Sequence, residues 1–337
     1  MLVDIWNKDP DYYEGYESFC FQNCLRLVLQ SYGVENAPLY VNASIFLKFD
    51  STNNNDVQLI VDKNNRSLLP DYLDKVTRVY HPLNSDCDQI FKENMEIVEK
   101  DKIPLIVGVD IYYLPYLEFY HKGHGIHTAI FCGEDAEKKI GIIDWYEPWF
   151  FKGLISKEDF LQARNSQNHK DNYMYSGTPI QNNWTKISKE RWNEAPEKQI
   201  RDTLLLTLDQ FFEPKENEGV LAFKNIISYL EMLMDNSLEY DKEIINKLHK
   251  GLFGLSKRYS FFKQYIEIAC HAKPELSDLI CLLDGFIGTF QSTLLLLYKL
   301  SFRNSSHTLE TAIAKLNECE VVNSKICSEL KRDLRII

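Results

Sequence analysis

The sequence predicts an α+β fold in which a helix and an antiparallel sheet form the N-terminal half and an all-helical C-terminal half follows. The first half carries short apolar runs between polar breakers, a pattern typical of strands. These runs are QLIVD (58–62), PLIVGVD (104–110), HTAIFC (127–132) and KIGIID (139–144). From about Trp192 onward, apolar residues recur at helical spacing. The chain of 337 residues therefore divides near Ser188 into domains of residues 1–188 and 189–337.

The first helix is predicted in the segment ESFCFQNCLRLVLQSYG (17–33). Leu25, Val28 and Leu29 give it an apolar face, and Gly33 is placed to end it in the left-handed conformation. With Ser18 as N-cap, Cys20 lies in the first turn.

The two cysteines of this segment have different expected roles. At a helix start, unpaired backbone amides and the helix dipole stabilise a thiolate, so Cys20 is the candidate nucleophile. Cys24 lies one turn further along, on the face that points at the core, where a cysteine acts as a small apolar residue. Because most intracellular cysteines are structural, Cys20 needs a partner before it indicates catalysis.

A histidine and an aspartate mark the ends of the third and fourth strand-like runs. His127 opens HTAIFC and Asp144 closes KIGIID, with the turn GEDAEK between them. The simplest hairpin sets Cys132 against Lys139 and puts His127 directly opposite Asp144 on one face. The carboxylate then orients the imidazole, and the other ring nitrogen faces a thiol. A one-residue slip in register would separate the pair.

Each of these residues also has an ordinary structural interpretation. Asp144 caps the turn that follows its strand, and His127 is a solvated strand start. A zinc site is a further alternative, because the segment HKGHGIH spaces His121, His124 and His127 by three residues. Two glycines and the lack of a fourth ligand argue against it. We therefore expect no metal, and we interpret His121 and His124 as part of a glycine-containing lip over the site.

Composition limits the class of protein. The net charge of −11 disfavours nucleic acid and anionic membranes as ligands and favours cationic partners such as amines. Eight scattered cysteines and an N-terminus without a signal-peptide pattern predict a reduced, cytoplasmic protein. The apolar window 279–300 contains Asp284, Gln291 and Lys299, so we interpret it as a helix of a soluble bundle and not as a membrane span.

Several motifs together resemble one known family. They are the pattern Cys-x3-Cys-Leu-x3-Leu ending in Tyr-Gly, then VGVDIYYLPY (107–116), HGIHTAIFCGED (124–135) and IGIIDWYEP (140–148). This set resembles the butirosin acyltransferase family, papain-like proteins from gene clusters for non-ribosomal products. The resemblance covers the first half of the chain in recognisable motifs and the helical half more loosely.

The resemblance implies a papain-like fold for the first domain and amide formation as the activity. An acyl group arrives as a thioester on the phosphopantetheine arm of an acyl or peptidyl carrier protein, moves to the cysteine and is attacked by a small amine. Carried over by position, Cys20 is the nucleophile, His127 the base and Asp144 the orienting residue. No bound cofactor is implied.

One departure leaves the oxyanion donor open. Papain-like proteases have a glutamine a few residues before the cysteine, whereas this chain reads EGYES there. The candidates here are the backbone amide of Cys20 and the side chains of Gln22 and Asn23.

Substrate-binding residues are predicted around the strand that ends at Asp110. An aromatic cluster would shield the acyl-enzyme from water, although part of it belongs in the core. Its members are Tyr112, Tyr113, Tyr116, Tyr120, Trp145 and Trp149. Asp110 either binds the cationic amine or caps a turn. The helical half is predicted to cover the site, to dock the carrier protein or to form a homodimer. Lys257, Arg258 and Lys263 are its densest basic candidates for docking an acidic carrier.

Two other functions remain open on sequence grounds. The same three residues serve a thioesterase or peptidase if water, and not an amine, reaches the acyl-enzyme. A non-catalytic papain-like binding protein is the alternative of a different class.

Overall fold

The computed structural model describes residues 1–7, 19–51, 57–61, 68–146, 149–171, 176–190, 192, 195–214, 216–235 and 241–335. It forms two compact units. Unit 1 contains Met1–Val41 and Pro70–Asn193, and unit 2 contains Asn42–Leu69 and Glu194–Ile337. The break after Asn193 is close to the boundary predicted near Ser188. However, the segment Asn42–Leu69 belongs to unit 2, so the first domain is not the continuous stretch 1–188.

Unit 1 is built on a six-stranded sheet. In chain order its strands are β3 (Val76–Val79), β4 (Leu105–Asp110), β5 (Ile126–Glu134), β6 (Ile140–Tyr146), β7 (Trp149–Ile155) and β8 (Trp184–Ile187). The strand order is β3-β8-β4-β5-β6-β7, and every neighbouring pair is antiparallel. The predicted antiparallel sheet is therefore confirmed. The sequence patterns identify its strands β4, β5 and β6. They miss β3 and β8, which have just four residues each, and also β7, although it has seven.

Among the described residues, the α-helices of unit 1 are α1 (Cys20–Ser31), α2 (Ala37–Tyr40), α3 (Cys87–Asp101) and α4 (Lys157–Asn165). Three of them pack on this sheet, and the short α2 packs on α1. Helix α1 contacts β4, β5 and β6, and its residues 22–29 are all buried. Gly33 follows the helix with φ of 83°, which confirms the predicted left-handed ending.

Unit 2 contains a hairpin and five α-helices within the described residues. The hairpin is β1 (Lys48–Ser51) and β2 (Val57–Ile60), and the helices are α5 (Pro196–Thr207), α6 (Gly219–Asp235), α7 (Lys242–Ala269), α8 (Ser277–Leu300) and α9 (Ser306–Asp333). The predicted strand QLIVD thus lies in the β2 region. Strand β1 packs on α6 and β2 on α7. This packing is the physical reason that residues 42–69 belong to unit 2 although they lie in the first half of the chain.

The apolar window of the sequence forms α8. Its Leu279, Leu283, Phe286 and Phe290 are buried, as the helical spacing predicts, and the helix packs on α7 and α9. Among the described residues, one helical segment, Pro274–Leu300, has the length and the apolar composition needed to cross a membrane. One third of its most apolar window is buried. By itself this is weak evidence for a membrane span, since core helices have the same composition.

Candidate active site

Cys20 lies at the first position of α1. The preceding residue, Phe19, has φ of 61° and caps the helix without a side-chain hydrogen bond, while Ser18, the predicted cap, lies outside the described residues. Positive φ is uncommon for a bulky residue, and such strained conformations cluster at functional sites. Cys20, which is partly buried, thus begins a helix whose first-turn backbone amides are not occupied by a side chain of the cap residue.

The Cys20 thiol is hydrogen-bonded to the side chain of His127 and to both the hydroxyl and the backbone of Thr128. Burial alone raises the pKa of this thiol, but the charge of His127 and these hydrogen bonds outweigh burial and leave the pKa below its usual value. Cys20 is therefore chemically distinct from a structural cysteine.

Cys24 shows the opposite behaviour one turn along the same helix. It is buried, with 1% of its surface exposed, and its Sγ lies 3.5 Å from the carbonyl oxygen of Thr128. Burial, and then the charges of Asp144 and Cys20, raise its pKa well above the usual value. As predicted from the helix geometry, Cys24 is a core residue.

His127 and Asp144 form a buried pair, with 2.8 Å between His127 Nε2 and Asp144 Oδ1. The two side chains are 5% and 1% exposed. Burial lowers the pKa of His127, whereas the charges of Asp144 and Cys20 and the hydrogen bonds to both raise it to about 10. Because Asp144 occupies Nε2, Nδ1 is the ring nitrogen that remains for the Cys20 thiol.

The predicted register of the two strands is wrong by two residues. Ile130 pairs with Ile143, and this register, continued, puts Ala129 opposite Asp144. At the turn, Glu134 pairs with Ile140, which is three residues from the predicted register, and an irregularity between Phe131 and Glu134, where Gly133 has φ of 106°, brings the shift back to two. A shift of two residues keeps side chains on the same face, so His127 and Asp144 are diagonal neighbours and still meet.

Tyr116 contacts the second oxygen of Asp144. Its hydroxyl donates to Asp144 Oδ2 at 2.8 Å, and its ring stacks on Phe151 with centroids 3.7 Å apart. Burial, followed by the charge of Asp144 and this hydrogen bond, raises the pKa of Tyr116 well above the usual value, so it remains a donor. Tyr116 was predicted to line the substrate site, but its observed contact is with the orienting carboxylate.

The other predicted aromatic residues lie elsewhere. Tyr112 stacks on His124 with centroids 4.3 Å apart, and Tyr113 lies edge-on to Tyr112. Trp145 follows Asp144 on β6, so it points to the opposite face of the sheet, where its ring contacts Phe150. The Tyr120 hydroxyl donates to Asp159. The side chain of Trp149 lies outside the described residues.

Asp110 is fully buried, and its oxygens are already occupied by groups of the chain. Oδ1 accepts the backbone N–H of Tyr112 at 3.1 Å and of Gly125 at 3.0 Å. Oδ2 contacts His124 Nδ1 at 2.7 Å and accepts the hydroxyl of Ser166. A carboxylate with four intrachain partners and no exposed surface does not bind a substrate amine, so the turn-capping interpretation replaces the amine-binding prediction.

Gln22 and Asn23 are buried within α1, with 4% and 1% of their surface exposed. Their burial disfavours them as oxyanion donors and leaves the backbone amides at the start of α1 as the candidates. Thr128 and Ser166 were not predicted. Neither residue belongs to a distinctive sequence pattern. Only the folded chain brings Thr128 to Cys20 and Ser166 to Asp110.

Two of the three basic residues predicted for carrier docking are buried or paired with carboxylates. Arg258 is 3% exposed because it lies on the buried side of α7. Lys263 pairs with Glu267 at 3.2 Å and with Asp284 at 2.7 Å. The carboxylates therefore neutralise Lys263, while the ammonium of Lys257 lies 5.7 Å from the centre of the Phe253 ring.

No group of three or more His, Cys, Asp or Glu side chains suited to a metal ion is found among the described residues. His124 and His127 each contact a different aspartate, which separates two of the three histidines of the alternative zinc site. No family model and no curated protein matches this chain.

Proposed function

We propose that this chain is a cysteine-dependent acyltransferase with a papain-like catalytic unit, which forms an amide from a carrier-protein thioester and an amine. The observation that supports this best is the continuous line of contacts from Cys20 through His127 to Asp144, described above. A thiolate, a base and an orienting carboxylate in contact are the parts that covalent acyl transfer requires.

The first step transfers the acyl group to the enzyme. The Cys20 thiolate attacks the thioester carbonyl, and the tetrahedral oxyanion is stabilised by backbone amides at the start of α1. When the intermediate collapses, the carbon–sulfur bond to the phosphopantetheine arm breaks. The leaving thiolate takes a proton from the His127 imidazolium, which leaves acyl-Cys20 and a neutral imidazole.

The second step transfers the acyl group to the amine. The amine attacks acyl-Cys20, and neutral His127 accepts the proton that the nitrogen loses. Collapse of this intermediate releases the amide and regenerates the Cys20 thiolate beside the imidazolium. Asp144 keeps its charge throughout and stabilises the protonated ring.

Transfer to an amine is proposed over hydrolysis because of the resemblance in sequence. His127 and Asp144 are almost fully buried, and Tyr116 occupies the second oxygen of the carboxylate, so the histidine and its carboxylate are shielded from water. A thioesterase or peptidase using the same residues is the competing activity, and the products distinguish them.

The proposed partners follow from this chemistry. The donor is an acyl or peptidyl carrier protein with its phosphopantetheine arm, and the acceptor is a small amine, as expected for a cytoplasmic enzyme of non-ribosomal product assembly. The enzyme itself holds no cofactor. A homodimer remains a prediction.

The test is mass spectrometry of the intact protein after exposure to an acyl-pantetheine thioester. We expect an added acyl mass on the wild type and on Cys24→Ala, and none on Cys20→Ala. Addition of a primary amine should then remove the acyl mass and yield the amide. Free acid as the sole product would indicate a hydrolase, and absence of any adduct on the wild type would indicate a non-catalytic binding protein.

A further inference from the structure

Residues 111–125 connect β4 to β5 and carry a residue that contacts the candidate site. Tyr116, in this loop, donates its hydroxyl to Asp144. The loop ends one residue before β5, on which His127 is the second residue. Its position therefore affects both the orienting carboxylate and the strand that carries the histidine.

Asp110 holds the two ends of this loop together. One of its oxygens accepts the N–H of Tyr112 at the start of the loop and the N–H of Gly125 at its end. The backbone of Ile111 also donates to the carbonyl of Gly125 at 3.1 Å, so the ends are closed next to the carboxylate. A buried carboxylate that accepts backbone N–H groups is a strong and directional anchor.

The other oxygen of Asp110 connects the loop to a second segment. It contacts His124 of the loop and Ser166, which follows α4. His124 is held further by its backbone N–H, which donates to Asp171 at 2.7 Å, and by stacking on Tyr112. These contacts leave the loop little freedom to shift relative to β4 and α4.

We propose that Asp110 is a positioning residue of the candidate site: by holding both ends of loop 111–125, it keeps Tyr116 on Asp144 and so keeps the His127 ring against Cys20. This inference deepens the proposed function, on which it rests for its role in catalysis. Asp110 touches none of the reacting groups. It acts through Tyr116 and through the start of β5.

The consequence is measurable at the Cys20 thiol. If the loop loosens, the Asp144 carboxylate turns, and the imidazolium no longer faces the thiolate. The contributions of His127 that lower the pKa of Cys20 then weaken, while burial, which raises it, remains. Alkylation of Cys20 should therefore require a higher pH.

The test is the pH dependence of iodoacetamide alkylation at Cys20, followed by mass spectrometry in Cys24→Ala protein. We expect Asp110→Ala to move the midpoint up by about one pH unit, which corresponds to about tenfold slower alkylation at pH values below both midpoints. Asp110→Asn keeps an oxygen for the two backbone N–H groups and should restore most of the rate. Tyr116→Phe should also raise the midpoint. The double variant Asp110→Ala/Tyr116→Phe should have a midpoint no higher than that of the more affected single variant.

Asp159→Asn is the matched control, since Asp159 accepts the hydroxyl of Tyr120 from the same loop but has no contact with the triad. It should leave the alkylation midpoint unchanged. The proposal is overturned if Asp110→Ala lowers the unfolding free energy but its folded fraction alkylates with the wild-type midpoint. It is also overturned if the effects of Asp110→Ala and Tyr116→Phe add fully. Should Asp110→Ala not fold, Asp110→Asn and Tyr116→Phe decide by the same midpoint.

Alkylation needs no carrier or amine, so this experiment is independent of the acyl-transfer assay. Failure of the wild type to form an acyl adduct would end the proposed function, and the alkylation midpoints would still decide the role of Asp110.

Discussion

At the scale of single residues, the contrast between Cys20 and Cys24 shows how position determines thiol chemistry. The two lie one turn apart on α1, yet Cys20 contacts an imidazolium, whereas Cys24 contacts a carbonyl oxygen and the core. The pKa of Cys20 is lowered and that of Cys24 is raised well above its usual value. Reactivity at neutral pH should therefore be confined to one of the two.

The pH dependence of Cys20 should come from His127. The pKa of Cys20 is lowered and that of His127 is about 10, so the thiolate–imidazolium pair exists at pH values between the two pKa values. The thiolate is lost as the pH falls through the pKa of Cys20. In His127→Gln, burial remains without the positive charge, so the alkylation midpoint should rise above about 8.5, the ordinary thiol value. Iodoacetamide labelling of Cys20 against pH measures this. An unchanged midpoint would show that His127 does not charge-pair with the thiol.

A second residue-scale prediction concerns the hydroxyl of Tyr116. Tyr116→Phe preserves the stack on Phe151 but leaves Oδ2 of the buried Asp144 without this donor. Loss of a hydrogen bond to a buried charged group should cost about 1.5–3 kcal/mol of unfolding free energy, measured by urea denaturation.

Tyr120→Phe is the matched comparison for this change. Its hydroxyl donates at 3.2 Å to Asp159, whose carboxylate also accepts the hydroxyl of Ser156 and is partly exposed. Tyr120→Phe should lower the free energy of unfolding by less than about 1 kcal/mol. Equal losses in the two variants would contradict the buried character of the Tyr116–Asp144 contact.

At the scale of elements, the site depends on the register of β5 against β6. The turn displaces the pairing by three residues from the simplest hairpin, and the irregularity at the end of β5 reduces this to two, which keeps His127 and Asp144 on one face. Gly133 carries this irregularity, since its φ of 106° is rare for residues with a Cβ. The chain start also pairs here, because Val3 donates to the carbonyl of Cys132 at 3.0 Å.

Replacement of Gly133 should therefore destabilise unit 1. In Gly133→Ala the new Cβ would meet the backbone oxygen of Met1 and would occupy a strained φ. We expect a loss of about 3 kcal/mol in unfolding free energy, measured by chemical denaturation. Gly285→Ala in α8 is the control: nothing lies within 4 Å of its added Cβ, so it should stabilise the protein by up to about 1 kcal/mol.

At the scale of the whole molecule, the chain does not divide at one point. Residues 42–69 leave unit 1 and complete unit 2, where their hairpin packs on helices from the second half of the chain. Gly251 of α7 permits this, since an added Cβ would lie 2.6 Å from the Cβ of Leu59. A close approach of strand and helix at this position requires glycine.

Gly251→Ala tests this division of the chain. The helix propensity of alanine favours the substitution, but the contact with Leu59 should turn it into a net loss of about 1–2 kcal/mol in the stability of unit 2. Hydrogen exchange should show faster exchange in β1, β2 and the helices of unit 2, while the six-stranded sheet keeps its protection. Gly288→Ala, with open space around its Cβ, is the matched control. Equal loss of protection in the sheet would show that the two units unfold as one.

The pattern of residues determined the local features of this protein. Apolar spacing determined the helix at Cys20, the central strands and the helical second half, because side-chain periodicity reports directly which face is buried. The positions of Cys20, His127 and Asp144 at the ends of predicted elements also marked them as a candidate nucleophile, base and orienting carboxylate. Strands of four residues, such as β3 and β8, carry too few side chains for a period to be visible.

Only the tertiary structure decided how these parts meet. It decided the two-residue shift in register between β5 and β6 and the transfer of residues 42–69 to unit 2. It also decided that Asp110 caps the loop and that Tyr116 contacts Asp144. Each depends on pairs of residues far apart in the chain, and their contact energies are decided by packing and by the pairing of buried polar groups. No local pattern contains that information, since a buried aspartate with four donors and a solvated one have the same neighbours in sequence.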